Sequence, residues 1–305
     1  MRKEYALMIL ATFVWGSGHP IGKIILRELT PSQLSFLSVT LGALVLLACL
    51  FLTPSRKRIS EIRGRAMVLT MASGAIMFFV YPNLSFSALR LIPASANSIL
   101  VASSTIFVAL LAAAILKEKL SGIGYFGIIV SFLGVTFVVI STESNLKMSG
   151  LSTVGSLIAM SAAFTSASYA IVGRRMRECD ALCVTALGAT FGSILQGGML
   201  LGSSSLNQLI HASPITYLLV AYWGVFSALG YVVYYYCLGR MDAAKASSFI
   251  YLSPLFATAL SVAILGEQLT TLFLAGLVLT LGGIWLTQRQ NRGWSFLQNP
   301  RKSSN

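Results

Sequence analysis

The sequence predicts an all-α membrane protein of ten transmembrane helices, arranged as two inverted-topology five-helix repeats with both termini cytoplasmic. Three observations predict it. Hydrophobic residues make up 56% of the 305-residue chain and charged residues only 10%, far below the charged share of about 25% in soluble domains. Leu89–Leu120 recurs at Leu238–Leu269, with 11 of 32 positions identical. The basic residues are also distributed unevenly between alternate loops, which sets the orientation of a multi-span chain.

The duplication comes first because a missed repeat misassigns the whole fold. An offset of 149 pairs Ser98 with Ser247, Phe107 with Phe256 and Glu118 with Glu267. It continues through Gly127 and Gly276, then Gly134 and Gly283. The two repeats are expected at residues 5–142 and 151–288, followed by a polar cytoplasmic tail over 289–305.

Apolar runs of spanning length place helices at roughly 5–26, 32–53, 66–89, 93–116, 121–142, 151–173, 182–203, 214–238, 243–265 and 270–288. The first follows Arg2 and Lys3 without a small-residue cleavage site, so it reads as a retained span rather than a signal peptide. With the N-terminus inside, 18 of the 22 basic residues fall on the cytoplasmic side. Lys23, Arg27, Arg90 and Lys147 are the exceptions. The net charge of +13 is therefore a skirt at the headgroups and gives no reason to expect nucleic acid. Five spans per repeat is an odd number, so the second copy enters the membrane upside down. Paired inverted repeats are the architecture of many secondary transporters.

Phe13-Val14-Trp15-Gly16-Ser17 followed by Gly22-Lys23, the Glu-terminated ends of spans four and nine, and the paired glycines of spans five and ten resemble the EamA-type family. That family belongs to the drug/metabolite transporter superfamily. The resemblance covers both halves and implies a central cavity lined by spans one, three, four, six, eight and nine. It also implies export or exchange of amino acids or related metabolites. His19-Pro20 departs from the uncharged pair the family would place after Gly18.

The candidate substrate residues are Trp15, His19, Asn83, Ser98, Thr105, Tyr231, Ser247 and Tyr251, with Pro20, Pro82 and Pro254 as candidate hinges. His19 sits roughly 12 Å inside span one, counted from its outer end at about 1.5 Å per residue. An ionisable side chain at such depth either serves function or bonds a neighbouring helix. Asn83, beside Pro82, lines the same half-cavity or joins two helices. Ser98 and Thr105 share one face of span four, matched by Ser247, Tyr251, Pro254 and Thr258 on span nine; small-residue faces also pack helices. Trp15 and Tyr231 are either aromatic walls or core. Gln196 reads as packing, and Tyr234–Tyr236 as an interfacial belt.

All nine acidic residues lie at or near span ends, which disfavours a midplane carboxylate carrying protons. Glu118 and Glu267 suit a structural task, such as accepting from amides at the start of the next span. Cys49, Cys179, Cys183 and Cys237 have neither redox nor zinc spacing. No paired carboxylates, His-Glu-x-x-His or Gly-x-Ser-x-Gly motif supports an intramembrane enzyme. No cofactor or metal is expected. The expected partners are a small solute and the bilayer, in a plasma-membrane protein that is a monomer or homodimer. A lipid or lipid-linked-sugar flippase is the alternative.

Overall fold

The computed structural model describes residues 2–117, 122–146, 151–176, 178–202, 209, 211–238, 240 and 249–290. Among these residues the secondary structure is entirely helical. The elements are α1 (Arg2–Ile25), α2 (Pro31–Leu52), α3 (Arg65–Ala75), α4 (Tyr81–Leu91), α5 (Ala94–Ala102) and α6 (Ser104–Leu116). They continue as α7 (Gly122–Leu146), α8 (Leu151–Arg174), α9 (Ala181–Leu201), α10 (Pro214–Leu238), α11 (Leu252–Leu265) and α12 (Thr271–Gln290). Seven helices or helix pairs are long and apolar enough to cross a membrane, beginning at Pro31, Arg65, Ala94, Gly122, Leu151, Ala181 and Pro214. Leu252–Leu265 and Thr271–Thr287 are shorter apolar helices, and α1 carries charge at both ends.

Local chemistry sets several starts. Thr30 caps α2 in a reciprocal box with Gln33, and Pro31 occupies the first turn where its missing N–H costs nothing. Asp180 Oδ1 accepts from the Leu182 and Cys183 amides to begin α9. The Phe273 amide donates to Thr270 Oγ1 to begin α12.

Two spans depart from simple helices. Between α3 and α4, Ile76–Val80 form one π turn ahead of Pro82. The fourth span, expected as a single helix over 93–116, is broken at Ser103. There the Ile106 amide donates to Ser103 O, a tighter i−3 bond, and Ser103 Oγ turns back onto Leu100 O. A serine hydroxyl that bonds the preceding turn competes with the helix ladder and bends it. In the second copy the described helix α11 starts at Leu252, the position equivalent to Ser103. Both copies also end alike: Lys117 (φ 55°) closes α6 and its equivalent Gly266 (φ 67°) closes α11, each in the left-handed conformation.

Packing between the copies follows an exchange rule. α1 lies on α10 as α4 lies on α8, α1 on α11 as α6 on α8, and α2 on α10 as α3 on α9. α2–α9, α5–α11 and α7–α12 are contacts of equivalents with each other. In the last of these pairs, a Cβ on Gly127 would lie 2.7 Å from Gly283 O, and one on Gly134 would lie 2.7 Å from Gly276 O. The first glycine of each helix meets the second of the other, so α7 and α12 run antiparallel at backbone contact. The glycine seam between these two helices is thus filled within one chain.

Large side chains are turned outward around the bundle, including Phe126 (59% exposed), Leu218 (67%) and Val278 (69%). Such a surface would be anomalous in water and suits hydrocarbon.

Candidate functional site

The interior between the repeats is built along α1. Glycines let it approach its neighbours: a Cβ on Gly16 would sit 2.5 Å from Ser253 O of α11, and one on Gly18 would strike the Trp223 ring of α10. Below them Trp15 lies over Gly230 and its Nε1 donates to Ser227 O at 3.3 Å. Its ring meets Tyr231 at 5.4 Å and Tyr234 at 6.0 Å between centroids. Tyr231 in turn meets Phe78 of the π turn at 6.4 Å. Trp15 and Tyr231 are therefore brought together, in an aromatic wall that spans α1, α10 and the α3–α4 junction. Such tilted and edge contacts are the favoured aromatic geometries. Tyr234, expected in an interfacial belt, joins that wall.

One turn further along α1, His19 Nδ1 lies 3.1 Å from Asn97 Nδ2 of α5, with the ring accepting when its proton is on Nε2. Asn97 is fully buried, and its Oδ1 has no hydrogen-bond partner among the described residues. An acceptor left so in the interior costs about 1–3 kcal/mol. Sequence reasoning had passed over Asn97. The available signal was its side-chain amide amid Ala94-Ser95-Ala96, where the second copy has Ala246. Pro20 is buried within α1, which continues past it to Ile25.

Asn83 and Gln196 form a second polar pair. Pro82 has no N–H to give to the carbonyls of the preceding turn, which the π turn has already shifted out of α-helical register. Gln196 Nε2 donates to the carbonyl oxygens of Phe78 at 3.3 Å and Phe79 at 3.4 Å. Asn83 Nδ2 donates to Phe79 O at 2.7 Å and to Gln196 Oε1 at 3.0 Å. Gln196 thus does more than pack, and the pair repairs the backbone that Pro82 and the π turn leave open.

The remaining candidates are separated. Ser98 is buried and its hydroxyl donates to Ser95 O of its own helix. Thr105 lies beyond the break at Ser103, half-buried on α6. Tyr251 caps α11 against Ile106, Ala109, Ile128 and Ile284, and its buried hydroxyl has no partner among the described residues. Pro254 is buried in the first turn of α11. Ser247 and Glu118 lie outside the described residues.

One end of the interior is sealed. Leu26, Leu29, Phe86, Leu89, Val220 and Trp223 belong to one apolar cluster there. Lys23 Nζ donates to Leu89 O at 2.6 Å and to Ile92 O at 2.8 Å, placing a cation on the C-terminal carbonyls of α4. Glu267 Oε1 accepts from the Ala94 amide at 2.6 Å, and its Oε2 from the amide and hydroxyl of Ser95. The carboxylate therefore does hold helix-start amides, but those of α5 in the other repeat rather than those of the following span. Among the described residues no cluster of histidine, cysteine, aspartate or glutamate could hold a metal.

This arrangement is a polar and aromatic interior between two helical halves of a multi-pass membrane protein. The sequence model of the EamA-like transporter family matches the chain twice, over residues 2–140 and 153–289, and the chain belongs to that family. It is a transporter family, not one of enzymes. A relative named an uncharacterized transporter from Archaeoglobus fulgidus is 27% identical over 288 residues, covering 93% of this chain and 97% of the relative. A Salmonella typhimurium protein named a probable amino-acid metabolite efflux pump is 24% identical, covering 94% of the relative. One solved crystal structure superposes with a TM-score of 0.64 at 18% identity over 96% of this chain and 99% of its own, a likeness of fold.

Proposed function

We propose that the chain exports or exchanges amino acids or related metabolites across the plasma membrane by alternating access between two inverted five-helix repeats. In this reading ten spans are divided at 5–142 and 151–288, both termini are cytoplasmic, and residues 289–305 form a cytoplasmic tail. The antiparallel crossing of α7 and α12 supports inversion, and the filling of their glycine seam within one chain supports a transport unit of one chain.

The observation that carries the reading is the His19–Asn97 pair, a part-buried polar contact between α1 and α5 in which the fully buried Asn97 has its acceptor left unpaired. Buried polar groups are normally satisfied, and an exception at a helix interface marks a place for a ligand. An amino group is the complementary chemistry. The aromatic wall of Trp15, Tyr231 and Phe78 supplies the apolar contact for the side chain. Ser98, Thr105, Tyr251 and Ser247 line the path in this reading, and Pro20, Pro82 and Pro254 mark where the helices flex. The name of the Salmonella relative points to the same solute class.

Counterflow of labelled amino acids into proteoliposomes tests it, with aromatic, aliphatic and polar side chains each assayed. The expected result is uptake of one class above empty vesicles, reduced at least about tenfold in Asn97→Ala, an effect of the size of one lost charge-assisted bond. No uptake of any class would overturn the amino-acid reading.

A further inference from the structure

Three of the four basic residues that the charge pattern assigns away from the cytoplasm gather at one mouth. Two adjoining cavities of about 580 and 380 Å³ open at the sealed end of the bundle, and both are lined by Leu26, Arg27 and Arg90. The larger also meets Glu28 and His211, and the smaller meets Lys23 and Glu267. The positive-inside rule gives no reason for cations here, and elsewhere on this side the charge pattern places only Lys147.

The carboxylates in the basin are already engaged. Glu28 Oε2 accepts from the Ser213 amide at 2.7 Å and its Oε1 from the Ser213 hydroxyl at 2.8 Å. Glu267 is spent on Ala94 and Ser95. Lys23 is likewise spent on carbonyl oxygens. The guanidiniums of Arg27 and Arg90 are exposed into the shared wall and meet no carboxylate among the described residues. Two guanidinium forks beside one concavity are suited to an oxyanion, which they bind with planar paired donors. A cleft with low-dielectric walls concentrates such a solute further.

We infer that Arg27 and Arg90 form a receiving site for small carboxylates at this mouth, separate from the His19–Asn97 interior. The inference does not depend on transport, because its binding is measured without flux.

The test is arginine modification by phenylglyoxal, read residue by residue by peptide mass spectrometry on the full chain in phosphatidylcholine nanodiscs. Succinate is the probe and succinamide its uncharged control. Succinate is expected to slow labelling of Arg27 and Arg90 by at least about threefold, with Arg56 and Arg63 unaffected, and high salt to abolish the protection. In Arg90→Gln the protection of Arg27 falls. Equal labelling with and without succinate, or equal slowing at every arginine, overturns the proposal. Protection produced by phosphatidylglycerol in the discs, with no response to succinate, also overturns it and assigns the two arginines to a lipid headgroup.

Discussion

Ser131 Oγ donates a hydrogen bond to the backbone carbonyl oxygen of Thr280 at 3.0 Å, and the two residues stand 149 positions apart. That separation is the offset of the duplication, so each is the other's equivalent. Equivalent residues touch only where a local two-fold axis passes between them. The axis therefore crosses the α7–α12 seam at Ser131 and Thr280, flanked by the Gly127–Gly283 and Gly134–Gly276 contacts.

The seam predicts a sharp size limit. A Cβ on Gly276 would sit 2.8 Å from Gly134 O, and backbone cannot turn aside as a side chain can. Gly276→Val is expected to destabilise the protein by about 1–3 kcal/mol or more, the range of core overpacking. Gly282→Ala, with open space around it, is the control. Thermal unfolding in detergent, followed by the monodisperse fraction on gel filtration, measures both. An unchanged midpoint in Gly276→Val would mean that the helices separate easily.

Pro82 and Gln196 predict a double-mutant result. Gln196→Leu removes a donor shared by the Phe78 and Phe79 carbonyls, costing about 1–3 kcal/mol. Pro82→Ala returns a backbone N–H to the preceding turn, so the two changes together should cost less than the sum of the separate effects. Additive midpoint shifts would show that Gln196 acts through packing alone.

The duplication was legible because the glycines of the seam and the glutamates that end spans four and nine recur at one offset in both copies. The break at Ser103 was not, since no proline or glycine marks it and a serine in an apolar helix usually back-bonds without breaking it. Lys117 in a left-handed turn is equally silent; only its equivalent, Gly266, has the residue such a turn favours. In the candidate site, Trp15, His19 and Tyr231 were read from depth and residue type. Asn97 was missed because a helix face of alanines and serines reads as packing. The pairing of Asn83 with Gln196 crosses 113 positions, and no local pattern encodes a contact at that range.

Glu28 predicts an acid-sensitive corner. The amide and hydroxyl of Ser213 hold its carboxyl below the usual carboxylate range. A lowered folded-state pKa gives stability that is present above the unfolded value and lost as pH falls through the folded one. Glu28→Gln is therefore expected to lower the thermal midpoint at neutral pH, and the gap from wild type should close through the acidic range as Glu28 takes up its proton. A gap that is constant with pH would assign the loss to shape rather than charge.

Glu267 and Lys23 grip the α4–α5 corner from opposite sides, the anion on the first amides of α5 and the cation on the last carbonyls of α4. Each charge sits where the helix dipole favours it. Glu267 comes from the second repeat, so separating the repeats at this end must break its bonds to Ala94 and Ser95. Removing the charge in Glu267→Gln weakens hydrogen bonds worth about 1.5–3 kcal/mol each to a charged group. Under the proposed alternating access, loss of about 1.4 kcal/mol raises the population open at this end roughly tenfold. A reporter is Val220→Cys, within the apolar seal and 2% exposed. Its alkylation in membranes is expected to speed up roughly tenfold in the Glu267→Gln background, in line with that shift. Alkylation at the original rate, together with a lowered thermal midpoint, would show that Glu267 only caps α5 and does not hold the seal closed.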